Sequence, residues 1–249
     1  MKSLVEKFTT QLKDAIDVGE KSSFSAVNKS FSNVVIAGLG GSGIGGKIVA
    51  QLTSKQLKIP VTICSDYTLP EYVDNKTLVI ASSFSGNIEE TLSALSTAQE
   101  KGAEIACITS GGKLLEIAKE NGHNHIILPT ERSPRAMLTY SLTQQFYILY
   151  NYGLIDKTFK KDLQKAILVL EENLADIKTT AHEVALGLHN KTSVLYAEAN
   201  FEGVGTRMRQ QINENSKALC WHHVLPEMNH NELVGWAGGK QEYAVVILR

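Results

Sequence analysis

The chain has 249 residues, of which 43% are apolar and 20% charged, with a formal net charge of −1 at pH 7; this is enough apolar material for a large core in one or two domains. Near-neutral charge, without basic runs interleaved with aromatics, argues against a nucleic-acid or anionic-membrane partner. The opening segment MKSLVEKFTTQLKDAIDVGEK breaks its apolar residues with charges every few positions, unlike a signal peptide, and no stretch reaches the roughly 18 apolar residues of a membrane span, so a cytoplasmic protein is expected.

The first apolar run, Asn33 to Ala37, reads as a strand and leads into the glycine-rich turn Gly38 to Gly46 (GLGGSGIGG), followed by a helix over Lys47 to Leu52. Gly40, Gly41 and Ser42 are candidate ligand-binding positions there. The turn also fits GxGxxG at Gly38, Gly40 and Gly43, with Asp66 lying 23 residues past Gly43, a dinucleotide pattern. Read from Gly41 to Ile48, it is a near miss to a nucleotide-triphosphate loop, because Ile48 lacks the hydroxyl that holds magnesium. Neither reading gives work to the turn that comes next.

After a second strand at Pro60 to Cys64, the run Thr77 to Ala81 ends in Ser82-Ser83-Phe84-Ser85-Gly86-Asn87 and opens into an amphipathic helix, Glu89 to Lys101. Ser83, Ser85, Asn87 and Thr91 offer neutral polar groups, Gly86 lets backbone approach closely, and the helix start adds free N–H groups and a positive dipole end. No basic residue lies between Lys76 and Lys101. The segment therefore reads as a cradle for a small phosphomonoester held by uncharged donors. For both turns the competing reading is glycine kept only for tight packing of strand against helix.

Strands at Glu104 to Ile108 and His125 to Leu128 follow, the first ending in a third turn, Thr109-Ser110-Gly111-Gly112. Apolar strands alternating with helices predict an α/β fold, a doubly wound parallel sheet. From Ala136 to about Asn190 the pattern is helical, with Leu163, Ile167, Leu170, Leu174 and Ile177 on one face of a helix over Asp162 to Ile177. A strand at Thr192 to Ala197, a turn at Phe201 to Gly205, a helix over Thr206 to Leu219 and a strand at Tyr243 to Leu248 repeat the earlier order, as an internal duplication would. The boundaries expected are 1–152 for a first domain with its N-terminal helix, 153–190 for a helical linker and 191–249 for a partial second domain. An uncovered final strand is expected to be protected, either because the chain is a shortened form of a longer protein or by a partner. Cys64, Cys107 and Cys220 stand apart without CxxC pairing and are expected to be buried free thiols.

Taken together, GLGGSGIGG, SSFSGNIEET and TSGG resemble a sugar isomerase (SIS) domain. Ser133-Pro134-Arg135-Ala136, Asn213-Glu214-Asn215 and Glu227-Met228-Asn229-His230-Asn231-Glu232-Leu233 closely resemble the bifunctional phosphoglucose/phosphomannose isomerase family, which carries two such domains. The resemblance implies two SIS-type doubly wound domains, the second incomplete at the C-terminus. It implies interconversion of glucose 6-phosphate or mannose 6-phosphate with fructose 6-phosphate, without metal or organic cofactor, in a homodimer with active sites near the interface.

It also assigns roles. Glu214 would be the base that carries a proton between neighbouring carbons through an enediolate, its pKa raised by burial; the competing reading is a surface charge paired with Lys217. Arg135 would stabilise the enediolate, with Arg132 as the nearby alternative, and His230 would move the ring-opening proton. Where the family's phosphate turn reads Ser-x-Ser-Gly-Asn-Thr, this chain has Ile88, which removes a hydroxyl donor, and Thr91 one helical turn later is the candidate replacement. The family's catalytic lysine near its C-terminus has no counterpart before Arg249. His222, His223, Glu227, His230 and Glu232 suggest a metal site as a competing reading, but their spacing matches no standard helix pair. A phosphosugar sensor and the isomerase half of a glucosamine phosphate synthase are the remaining readings; the first 30 residues are too short for a helix-turn-helix domain, and no amidotransferase precedes the turns.

Overall fold

In the first half of the chain, residues of each strand alternate between two cores. Val34 and Ile36 of β1 (Asn33–Ala37) and Leu78 and Ile80 of β3 (Thr77–Ser82) pack into one cluster, whereas Val35, Ala37, Val79 and Ala81 pack into another. Both faces of the sheet are thus covered, which is why these strands read as unbroken apolar runs. With β2 (Val61–Cys64), β4 (Glu104–Thr109) and β5 (Asn124–Ile127) they form a parallel sheet in the order β2-β1-β3-β4-β5.

This computed structural model describes residues 1–130, 134–238 and 242–249, so Arg132 and Ser133 of the sequence motif lie outside the described residues. The chain divides into two compact units, Met1–Ile167 and Leu168–Arg249. The helices concerned are α1 (Lys2–Val5), α2 (Phe8–Lys21), α3 (Gly40–Thr53), α4 (Glu89–Glu100), α5 (Gly112–Glu120), α6 (Leu138–Asn151) and α7 (Thr158–Glu172). Apolar residues of α2, α3, α6 and α7 fill the first core, and those of α4 and α5 the second. Phe159 anchors α7: it stacks on Phe146 with ring centroids 5.5 Å apart and meets Tyr147 edge-on at 5.1 Å. All three cysteines are free and buried, and burial pushes the Cys107 thiol up to about 12, so it stays protonated and unreactive.

The second unit contains α8 (Leu174–Leu188), β6 (Thr192–Glu198), α9 (Glu202–Gln211), β7 (Cys220–Leu225), α10 (Glu232–Trp236) and β8 (Tyr243–Leu248), with the strands parallel in the order β7-β6-β8. Helix α9 lies against one face, where an added Cβ on Gly205 would sit 3.3 Å from the Cβ of Ala197. Tyr196 ties α10 to the sheet: its hydroxyl donates to Glu232 Oε2 at 2.6 Å and accepts from the Trp236 indole at 2.8 Å. Trp221, Tyr243, Val245 and Ile247 remain exposed. No helix among the described residues is long and apolar enough to cross a membrane.

Four expectations need correction. Helix α3 starts at Gly40 rather than Lys47, because its glycines serve helix packing: an added Cβ at Gly46 would lie 2.8 Å from Ile36 Cγ2. The apolar stripe assigned to one helix over Asp162 to Ile177 spans α7 and α8, which break at Asn173 (φ −104°, ψ 13°), and Leu174 and Ile177 are exposed. The turn Phe201 to Gly205 is instead the start of α9, which begins at Glu202; the helix placed over Thr206 to Leu219 ends at Gln211 in a π turn, Ile212–Ser216, that Lys217 closes in the left-handed region at φ 57°. Strand β7 went unread because CWHHVL places polar imidazoles at successive positions.

Gly46→Ala should therefore cost about 1–3 kcal/mol through overpacking. Gly187→Ala, on exposed α8 with open space around it, should gain up to about 1 kcal/mol from propensity. Urea denaturation followed by circular dichroism checks both, and equal effects at the two positions would contradict the packing account.

Candidate active site

Strand order reverses between β1 and β3: the chain leaves β1 for α3 on one face and leaves β3 for α4 on the other, so a crevice opens at their carboxyl ends. Two turns border it. At the first, an added Cβ on Gly38 would lie 2.6 Å from the Ser82 carbonyl, so only glycine permits this approach of the β1 turn to β3. The Ser65 hydroxyl donates to the Gly38 carbonyl at 3.1 Å. The N–H groups of Ser42 and Gly43 both donate to the Leu39 carbonyl, which leaves the Gly40 and Gly41 amides ahead of the first bonded ones at the positive end of α3.

At the second turn, Ser83 acts inside the loop: it is 2% exposed, and its Oγ accepts the Gly86 N–H at 3.1 Å. Ser85 and Asn87 are exposed, and the Asn87 N–H donates to Ser85 Oγ at 3.3 Å. Gly86 has φ +71°, and a Cβ there would fall 1.8 Å from the Gly111 carbonyl. The third turn is thus a buttress. The Ser110 hydroxyl donates to the Phe84 carbonyl at 2.5 Å, and the Lys113 N–H donates to Asn87 Oδ1 at 3.1 Å. The TSGG of this turn was visible in the sequence, but its structural task was not.

Ile88, extended at φ −71° and ψ 119°, caps α4 without any side-chain hydrogen bond. Thr91 is 1% exposed, on the core side of α4, and its hydroxyl, like that of Ser82, is buried without a hydrogen-bond partner. The donor expected to replace threonine at 88 therefore lies beneath the helix surface rather than on it. Glu89 and Glu90 stand in the first turn of α4, and the charge of Glu90 is the main cause that raises the Tyr67 hydroxyl above the usual tyrosine range.

Arg135 lies half-buried in a single 3-10 turn, Pro134–Ala136, immediately before α6. In the second unit Glu214 lies half-buried at the centre of the π turn that ends α9; such single π turns are rare and recur at functional sites. The Lys217 ammonium donates to the Glu214 backbone carbonyl at 2.7 Å. A residue missed in the sequence is Arg207, one element back: burial lowers its pKa, and the Glu214 charge opposes that shift. The spacing of seven residues was the available signal. His230 ends an exposed 3-10 turn, Glu227–His230, anchored by buried Met228.

The histidine cluster disperses. Adjacent on β7, His222 and His223 point to opposite faces: His222 meets Thr206 Oγ1 at 3.0 Å and Glu202 at 3.7 Å, while His223 pairs with Glu232. Among the described residues no group of three or more His, Cys, Asp or Glu converges as a metal set requires.

Comparison with known proteins places the chain in a family. Residues 29–152 match the SIS domain model, and residues 177–249 match the bacterial phospho-glucose isomerase C-terminal SIS domain. A bifunctional phosphoglucose/phosphomannose isomerase from Caldicellulosiruptor bescii is 40% identical over 233 residues, covering 90% of this chain and 68% of the relative. The chain belongs to the bifunctional phosphoglucose/phosphomannose isomerase family. A relative from Sulfolobus acidocaldarius with another printed activity, a D-glucosamine-6-phosphate 4-epimerase, is 34% identical over 222 residues, 88% of this chain and 69% of its own length. The C-terminal domain of glucosamine-fructose-6-phosphate aminotransferase from Francisella tularensis superimposes with TM-score 0.78 at 12% identity, over 98% of this chain and 74% of that one, a likeness of fold. Against the curated isomerases of the family the chain spans from 62% to 68% of their length.

Ile88→Thr should add a hydroxyl at the cap of α4, tightening inorganic phosphate by about fivefold, the ~1 kcal/mol of one neutral hydrogen bond. Calorimetric titration measures this, and unchanged affinity would place the anion elsewhere.

Proposed function

We propose that this chain is an aldose-ketose isomerase that interconverts glucose 6-phosphate or mannose 6-phosphate with fructose 6-phosphate through an enediolate. The observation that carries the reading is the cradle of backbone amides and neutral side chains at the carboxyl ends of β1 and β3, the β3 part lying in a stretch without a single lysine or arginine from Thr77 to Glu100. Such a site seizes a phosphomonoester by directed hydrogen bonds and leaves the chemistry to groups elsewhere. Gly40, Gly41, Ser42, Ser85, Gly86 and Asn87 hold the phosphosugar, and Ser83 shapes the turn from within.

In this reading Glu214 removes the proton from C2 of the aldose and returns it to C1, while the proton on the C2 hydroxyl moves to the C1 oxygen. The intermediate bears negative charge on its oxygens, and Arg135 favours it more than the neutral sugar, which lowers the barrier rather than merely tightening binding. His230 passes a proton between the ring oxygen and the C1 hydroxyl as the ring opens. The steps call on no metal or organic cofactor. The exposed turn that carries His230 suits a dimer whose sites lie near the subunit boundary, acting in the cytoplasm.

Two assays test the proposal. In D2O, fructose 6-phosphate formed from glucose 6-phosphate should carry deuterium at C1, and retention of all protium would exclude an enediolate open to solvent. Glu214→Gln should lower kcat by about 10²–10⁴-fold while KM changes little; wild-type turnover would remove Glu214 as the base. Glucosamine 6-phosphate, run in parallel, separates isomerisation from the epimerisation named for the Sulfolobus relative.

A further inference from the structure

Helix α6 is packed almost entirely in the interior, yet it carries Thr139, Ser141, Thr143, Gln144 and Gln145 among its buried residues. Most of these have a local account. Gln144 donates to the Ala15 carbonyl of α2 at 2.7 Å, and Thr139 donates to Gln11 Oε1 at 3.3 Å. Gln145 differs in what it holds. Its side chain is fully buried, and its Nε2 donates at 3.2 Å to the carbonyl of Ser42, in the first turn of α3.

The fit around that carboxamide is close. An added Cβ on Gly45 would lie 3.3 Å from Gln145 Nε2, and one on Gly46 would lie 3.3 Å from Oε1, so a side chain at either position would press on the amide. Gln145 Oε1 has no hydrogen-bond partner, although it is buried. A buried acceptor without a partner is costly, and an apolar side chain of the same shape would avoid that cost. What the glutamine supplies, and an apolar side chain of that shape could not, is the donor to Ser42. That donor, on the helix that follows the 3-10 turn of Arg135, meets the turn that presents the Gly40 and Gly41 amides.

We propose that Gln145 is a positioning residue for the phosphosugar: by fixing the Ser42 carbonyl it aims the free amides of Gly40 and Gly41, and the Ser42 side chain, into the crevice. This rests on the isomerase reading only for its kinetic readout, because phosphate binding reports on the same amides without turnover.

Gln145→Met keeps the volume against Gly45 and Gly46 and deletes the donor. Its KM for fructose 6-phosphate and its inhibition constant for inorganic phosphate should rise together by about five- to tenfold, the scale of one hydrogen bond, with kcat within twofold of wild type. A lowered melting temperature with unchanged KM and phosphate constant would assign Gln145 to structure alone and overturn the proposal. Should the variant fail to fold, the wild-type protein decides by ¹⁵N NMR. Saturating phosphate should shift the Gln145 side-chain amide together with the Gly41 and Ser42 backbone amides, and a stationary Gln145 signal beside moving backbone signals overturns the idea. A wild-type protein that binds phosphate on these amides yet fails to isomerise would remove the isomerase reading and leave this one standing.

Discussion

The first unit depends on backbone meeting backbone where side chains would forbid it. Between Gly38 and the Ser82 carbonyl, between Gly43 and the Gly38 carbonyl, and between Gly86 and the Gly111 carbonyl there is no room for a methyl group. The Gly43 contact tightens the first turn on itself and the other two draw one segment onto the next, so three turns that are mobile in most folds become one rim at the carboxyl ends of β1, β3 and β4. A rim built from amides and hydroxyls carries directed partial charges rather than full ones. It discriminates by geometry and loses little to salt screening, as suits a ligand whose charge is confined to one phosphate.

Behind that rim stands a polar seam. α6 donates hydrogen bonds to α2 through Gln144 and to α3 through Gln145, and Tyr147 adds a 2.8 Å bond to Glu20, which Lys160 of α7 also engages. Hydrophobic contacts alone would let these helices slide by a fraction of a turn at little cost. Buried hydrogen bonds do not, since a slide leaves donors and acceptors unmatched in a low-dielectric interior. The seam gives the first layer of helices one register, and the N-terminal end of α3 inherits it.

How much of this was legible in the sequence follows from which forces act locally. The strands of the first sheet were readable because burial on both faces leaves unbroken apolar runs, as in NVVIA and TLVIAS. The serine turn was readable because turn chemistry is local. The start of α3 was not, since glycines argue against a helix until the partner that welcomes them is known. Strand β7 was hidden because its two imidazoles face different environments, one beneath α9 and one beside Glu232. The π turn at Glu214 has no sequence signature at all. Nor had Gln145, a polar residue in a helix whose pattern predicts only apolar neighbours.

Five of the fourteen residues of α3 are glycine. Relative to alanine each disfavours a helix by about 1 kcal/mol, so this segment taken alone would be a coil, and its helical state is conditional on the surfaces it lies against. Such conditional order has a thermodynamic partner. Any anion that prefers the formed helix end must, by linkage, deepen the well that keeps the segment folded, and the gain grows with the logarithm of its concentration above the dissociation constant. A segment so poor in intrinsic helix propensity is thus one whose persistence responds to whatever anion its formed end would favour.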